Sequence, residues 1–344
     1  MERKNYNFLT VIAAFGLTLL LFSQCSHGDG RGYLPGSTGK TNEIILVIDD
    51  NISSSAIADT VKAFFTQNDL SLPQPEALYD VYAVTQQMLN NQVTLKKHHN
   101  ILMVNINDTI QENVTVSKDL WATPQLVVNF NANSETAFYT LFRKYRRTIL
   151  DKLDRNEILR ARSLTDFGKN IGQANDILTQ FNINMVIPAG FQVAKKDDNF
   201  LWLKQQSNRK EEDMTASIMI WQIPYRAELQ FSTDSLIRER NRVGQRYIAG
   251  PTAGSYMKIA TSYIYPQTEI IGDYATPFSV EMRGLWELEG DFMGGPFISY
   301  TFAHPTTHQL ITIDAFLYHP NHDKRPFLRQ LQSIITNVTI PENN

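Results

Sequence analysis

The sequence predicts an α+β protein made of two α/β halves with largely antiparallel sheets. Three observations lead there. Short apolar runs bounded by polar residues recur along the chain, while helical patterns fall in groups between them instead of after every strand. Along Phe278, Val280, Met282, Gly284, Trp286 and Leu288 the apolar residues alternate with Ser279, Glu281, Arg283, Glu287 and Glu289, Leu285 being the exception. That period of two marks a strand with one face buried, as antiparallel sheets allow. A long amphipathic stretch over residues 134–162 lies mid-chain and divides the strands into two sets.

The predicted organisation is a signal peptide over 1–24, a flexible tether over 25–42, an N-terminal α/β half over 43–162 and a C-terminal α+β sandwich half over 163–344. The first half opens with an apolar strand over 43–49 and a Ser-capped helix over 54–67, with Ile57, Val61, Phe64 and Phe65 on one face. After the rigid "SLPQPE" come strands over 78–84, 100–106 and 125–130. The long helix carries the stripe Phe138, Leu141, Phe142, Tyr145, Ile149 and Leu153; of two readings of Arg143, Lys144, Arg146 and Arg147, a membrane-facing patch or the helix's solvated face, the second is favoured. A second helix over 164–181 leads into short strands punctuated at Pro188-Ala189-Gly190 and near 196–199. "MTASIMIWQIPY" is a longer strand. Ser232 or Thr233 then caps a helix that carries Leu236, Ile237, Arg240, Val243 and Tyr247. Strands follow over 263–288, 296–304 and 310–318, and a last helix over 324–336 is expected to cover the alternating strand's apolar face.

The N-terminus carries an address. Arg3 and Lys4 precede the uncharged run "FLTVIAAFGLTLLLF", the n-region and h-region of a secretory signal and too short for a comfortable membrane span. The single cysteine, Cys25, follows directly and cannot form an internal disulfide. The arrangement resembles a bacterial lipoprotein signal, with Gln24 where Gly, Ala or Ser is usual. It implies a diacylglyceryl and acyl anchor on Cys25 and attachment to the cell envelope, at the outer membrane facing the periplasm.

"GSTGKT" after the leader imitates a phosphate loop. The glycine that such a loop needs at its start is Leu34, Pro35 removes a donor, and the motif runs into a strand and not a helix. A nucleotide is therefore not expected. Nor is a nucleic acid, since 32 basic against 35 acidic residues give a net charge of −3 and no basic footprint.

In the C-terminal half the order of elements loosely resembles the PsbP/Mog1 type of α/β/α sandwich. "GYLPGSTGK", "PQPE", "DLWATPQ" and "RGLWELEGDFMGGPF" are similar to signature segments of a Bacteroidota lipoprotein family known only as a domain of unknown function, number 4837. The resemblance implies an envelope lipoprotein with no assigned activity.

The residues themselves carry no catalytic constellation, and no cofactor or metal is expected. His304 and His308 fall in a turn, His319 and His322 at the other end of the next strand, and His98-His99 before a strand, so all read as solvated loop histidines. The segment that stands out is "GDFMGGPF". Gly290, Gly294 and Gly295 make a permissive backbone, Phe292 and Met293 sit near its tip, and Trp286 and Asp291 lie beside it. Either the Phe and Met fold back onto the sheet, or they form an exposed apolar loop that docks an envelope protein or small ligand. Thr60, Thr109 and Ser235 lie in Asp-Ser/Thr-apolar tripeptides that resemble O-glycosylation acceptors. The leading expectation is a non-catalytic binding or assembly component. The alternative is an envelope hydrolase whose site is scattered in sequence.

Overall fold

The computed structural model describes residues 33–48, 54–165, 168–207, 213–272 and 274–342. Contacts cluster Gly36–Asn344 as one unit and Met1–Pro35 as a separate one. Cys25 and the signal-type segment lie outside the described residues.

In the N-terminal half the apolar run becomes β1 (Glu43–Ile48), buried along its whole length. Helix α1 (Ser54–Phe65) leads to β2 (Asp80–Val84), two short helices α2 (Gln86–Asn91) and α3 (Val93–Lys96), and then β3 (Asn100–Ile106), β4 (Asn113–Lys118) and β5 (Leu126–Ala132). The strand order is β2-β1-β3-β5-β4. Pairing is parallel for β1 with β2, β1 with β3 and β3 with β5, and antiparallel for β4 with β5. Antiparallel pairing thus dominates the chain as a whole but not this half. Continuous runs such as "EIILVI" and "LVVNF" suit central parallel strands covered on both faces.

Helix α4 (Glu135–Thr165) covers one face, with Phe138, Phe142, Ile149 and Leu153 packed against α1 and the strands. Its N-terminus is capped by Ser134, whose hydroxyl accepts the Ala137 N–H. Arg143, Lys144 and Arg147 are exposed, as expected for a solvated face, while Arg146 lies 4.9 Å from the centre of the Phe64 ring. The helix runs to Thr165, so the following one, α5 (Ile171–Phe181), starts later than the sequence suggested, at an Asn170 cap that accepts the Gln173 N–H.

The C-terminal half is fully antiparallel within its main sheet. Strands β7 (Gln192–Asp197), β8 (Phe200–Gln206), β9 (Thr215–Pro224), β10 (Tyr256–Ile259), β12 (Ser279–Glu289), β13 (Gly294–Ala303) and β14 (Gln309–Tyr318) take the order β10-β12-β13-β14-β9-β8-β7, and β11 (Gln267–Ile271) also pairs with β12. A two-stranded ribbon pairs β6 (Asn184–Met185) with β15 (Val338–Thr339). Helix α6 (Thr233–Tyr247) lies on one face and α7 (Arg325–Ile335) on the other.

This corrects one expectation. The apolar face of β12, with Val280, Met282, Trp286 and Leu288, is covered by Leu236, Ile237 and Val243 of α6 and not by the last helix. Leu328, Leu331, Ile334 and Ile335 of α7 pack instead on Ile298, Tyr300, Phe302, Ile311 and Ile313. A period of two fixes which residues share a face, but not which helix arrives there.

The segment expected as a tether is fixed from Gly36 onward. Gly36 bridges Thr123, and Thr38 bridges His98. Gly39, at φ +102°, lies on the histidine pair so closely that a Cβ there would sit 2.3 Å from His98 Nε2. The "GSTG" run therefore lines the N-terminal half.

"PQPE" also acquires a role. The Glu76 carboxylate accepts the backbone N–H groups of Lys324 at 2.8 Å and Arg325 at 2.9 Å, capping α7 from the other half of the chain. Arg325 reaches back to Asp80 at 2.6 Å, and Arg329 to Asp154 of α4 at 2.6 Å.

Candidate functional site

The hairpin joining β12 to β13 is a four-residue connection, Gly290 to Met293. Gly290 takes φ +79°, a conformation glycine adopts without strain. Asp291 then organises the tip. One carboxylate oxygen accepts the Phe292 N–H at 2.7 Å, and the other accepts the Thr252 hydroxyl at 2.7 Å, tying the hairpin to the loop before β10. The Thr252 hydroxyl, followed by the Phe292 amide, holds the Asp291 carboxyl below the usual carboxylate range.

Phe292 and Met293 part company. Phe292 projects wholly into solvent at 106% relative exposure, whereas Met293 is half-buried against the core beneath α6. Phe292 is thus the exposed residue of the tip and Met293 the one folded back onto the sheet.

Gly294 and Gly295 are not loop residues: they open β13. Trp286 lies across them, its indole N–H donating to the Leu317 carbonyl at 3.2 Å. A Cβ on Gly295 would meet that same carbonyl at 2.0 Å and the Trp286 Nε1 at 3.2 Å. Substitution of Gly295 by alanine is expected to cost about 1–3 kcal/mol through overpacking. Thermal unfolding of the variant checks this; an unchanged midpoint contradicts it.

Phe292, Met293, Trp286, Asp291, Gly294 and Gly295 line one cavity of about 540 Å³. Sequence reasoning missed its other walls. Leu72 and Pro73 come from the N-terminal half, and Tyr263, 77% exposed, stands in the turn before β11. "TSYIYP", two tyrosines ahead of a proline, was the available signal for that aromatic rim. The ionisable groups lining the cavity include Glu287 and Asp291, and Glu287 lies 3.5 Å from Lys258.

The histidines depart most from expectation. His98, His99, His304 and His319 are buried. His99 is held between the Thr38 carbonyl at 2.8 Å and the Glu157 carboxylate at 2.6 Å. Asn100 adds a hydrogen bond to the same Glu157 oxygen at 2.7 Å. His98 Nε2 stands 3.5 Å from Glu43, too far for a hydrogen bond. Burial, followed by the charge of His99, lowers the His98 pKa to about 4. For Glu157, burial works to raise the pKa, but the hydrogen bond and charge of His99 outweigh it and the carboxyl is lowered. His304 Nε2 donates to the Asn182 carbonyl at 2.8 Å, while its Nδ1 receives backbone N–H groups, which fixes a neutral tautomer. These are structural histidines whose partners lie far off in sequence. Among the described residues no group of three or more side chains is placed to hold a metal ion.

Of the glycosylation candidates, Thr109 is exposed on a turn, with its hydroxyl on Asn107 at 2.8 Å. Thr60 and Ser235 sit half-buried on helices, their hydroxyls on the Ala56 carbonyl and the Ser232 hydroxyl.

A second cavity, of about 400 Å³, opens between α4, the β11–β12 pair and α7. Tyr300 donates to Glu281, which also accepts from Arg283 Nε. Gln332 joins Tyr300 at 2.9 Å to Arg329 at 2.9 Å, and Arg329 continues to Asp154. Burial works against the ionised Glu281, yet Arg283 and the Tyr300 hydroxyl keep its carboxyl lowered.

Residues 170–337 match the model of a domain of unknown function, DUF4837, and residues 37–165 match that of another, DUF8532. No curated protein matches the chain. Among solved structures, a point variant of the protein Mog1 is similar with a TM-score of 0.30 and 12% identity, over 46% of this chain and 90% of that one. The Ran-binding protein Mog1p of Saccharomyces cerevisiae gives 0.30 and 11%, over the same shares of 46% and 90%. LpqN of Mycobacterium tuberculosis, involved in cell envelope biogenesis, gives 0.27 and 8%, over 46% and 83%. Similarities this distant carry no functional argument. Two successive stretches of the chain thus match models of domains of unknown function, each over less than half of its length.

Proposed function

We propose that this protein is a lipid-anchored component of the cell envelope that binds a protein or small ligand at the Phe292 cavity without transforming it. The observation that carries the reading is the wholly exposed Phe292 at the mouth of a 540 Å³ cavity. A bare phenyl ring gains nothing from water, whereas an aromatic anchor beside a pocket is the usual centre of a binding surface. Tyr263 extends that surface, and the Asp291–Thr252 contact holds its rim in place before any partner arrives.

Attachment follows from the signal-type segment and Cys25, which would hold the protein at the outer membrane facing the periplasm. Replacing Cys25 by Ser is expected to move the protein from the membrane to the soluble fraction. Retention in the membrane pellet would contradict lipid anchoring.

The rival reading, a hydrolase of envelope polymers, draws on the titratable groups of the 400 Å³ cavity. Against it, Glu281 and Asp154 are each engaged by an arginine and a tyrosine, which disfavours either as a proton shuttle.

Binding is tested by in-cell crosslinking of the anchored protein beside a Phe292→Ser variant. That substitution is expected to leave the unfolding free energy within about 0.5 kcal/mol of the parent, as at an exposed site, and to remove the crosslinked partner. Unlike Phe292, Met293 is part of the core, so a double substitution would confuse stability with binding. An undiminished crosslink pattern would overturn the assignment to this cavity.

A further inference from the structure

The 400 Å³ cavity between α4, β11–β12 and α7 is a second site, separate from the Phe292 surface. Its floor is fully committed: Glu281 is held by Arg283 Nε and Tyr300, and Arg329 by Asp154 and Gln332. Its walls are not. Arg283 uses only Nε in that network, and its two terminal amino groups have no hydrogen-bond partner among the described residues. The side chain nevertheless keeps 26% of its exposure. A guanidinium offering two parallel N–H groups is the geometry that grips a carboxylate bidentately.

Across the strand pair the opposite charge is left over. Glu269 of β11 stands directly opposite Glu281 of β12 in the antiparallel register. Like charges placed opposite one another in a sheet repel unless a cation comes between or beside them. Arg283 serves Glu281, but Glu269 is exposed and has no ion-pair or hydrogen-bond partner among the described residues. The cavity therefore presents an unfilled guanidinium fork and an unpaired carboxylate on neighbouring positions of one sheet face.

We infer that this cavity binds a small zwitterion of amino-acid or short-peptide type, its carboxylate on the Arg283 fork and its ammonium on Glu269. Arg155 and Asp151, both exposed on the α4 wall and without a hydrogen-bond or ion-pair partner among the described residues, add one charge of each sign to the lining. The apolar lining by Ile158, Ile270 and Ile271 suits a small aliphatic side chain.

The test titrates detergent-solubilised full-length protein with L-alanyl-L-alanine, followed by calorimetry. N-acetyl-dialanine lacks the ammonium and dialanine amide lacks the carboxylate. Saturable binding is expected with Kd on the order of 1 mM or tighter, weakened at least about tenfold by either capping group. Glu269→Gln is expected to weaken dialanine by a similar factor with an unchanged unfolding midpoint, because the residue is exposed and makes no internal bond. Arg283→Lys keeps a cation for Glu281 but removes the fork, and should also weaken binding. If that variant folds poorly, Glu269→Gln decides alone. No saturation by dialanine, equal binding of all three peptides, or an indifferent Glu269→Gln variant would each overturn the inference. Phe292→Ser should leave dialanine binding unchanged, so failure here is separable from failure of the Phe292 reading.

Discussion

Replacing Asp314 by alanine is expected to cost about 3–5 kcal/mol, the loss typical of breaking a buried ion pair from one side. Asp314 on β14 is fully buried and Arg240 on α6 nearly so. They meet as a fork, Nε to Oδ2 at 2.8 Å and a terminal nitrogen to Oδ1 at 3.2 Å, and the guanidinium carbon lies 3.8 Å from the centre of the Phe297 ring. Removing the carboxylate leaves a cation with no counter-charge beneath α6. The reverse deletion is milder, because burial pushes the Asp314 carboxyl up against the pull of Arg240 and the acid can accept a proton once the arginine is gone. Arg240→Met should therefore cost less than Asp314→Ala. The double variant Arg240→Met/Asp314→Leu should recover most of the loss, since apolar residues of similar size replace a buried pair at little cost. Urea unfolding of the three variants measures this. Additive losses in the double variant would mean that the pair is not energetically coupled.

Acid should destabilise the protein well before its carboxylates titrate. A histidine in the unfolded chain takes up a proton near pH 6.5, whereas buried His98 resists protonation down to about 4. The folded pKa is depressed, so the contribution is fully present above pH 6.5 and is lost as pH falls toward 4. At ~1.4 kcal/mol per pH unit the full loss is about 3 kcal/mol. Glu157, lowered in the folded state, adds a further loss as pH falls through the carboxylate range. Unfolding free energies at pH 7 and pH 4.5 should differ accordingly. His98→Leu should flatten the slope between these values, whatever it does to the absolute stability. A slope equal to that of the parent would show that another group dominates.

These two features show how far the sequence could be read. Arg240 falls on the inner face of its helical pattern, between Ile237 and Val243, so its burial was legible. Its partner was a lone acid inside the apolar strand "QLITIDAFLY", a signal available but unused. The strand at 100–106 came out with the observed limits because it is apolar and continuous. By contrast β4, "NVTVSK", was missed. It is an edge strand, largely exposed, and its alternation rests on Val114 and Val116 alone, too short a signal among polar neighbours. The histidines were misplaced because burial there depends on Glu157, 58 residues beyond His99, and on the Gly39 backbone folded over the pair. Local composition holds no trace of either. The Phe292 loop could be picked out by its glycines, yet the glycines serve Trp286 packing as much as the turn, and the pocket's far wall at Leu72 and Pro73 arrives only through tertiary folding.

The most direct test of the binding account places a photo-crosslinking amino acid at position 292 in the anchored protein in intact cells, with the exposed Phe278 position as control. One abundant species joined from 292 and absent from 278 is the result expected of a partner seated on this cavity. Equal labelling from both positions, or none from 292, would contradict it.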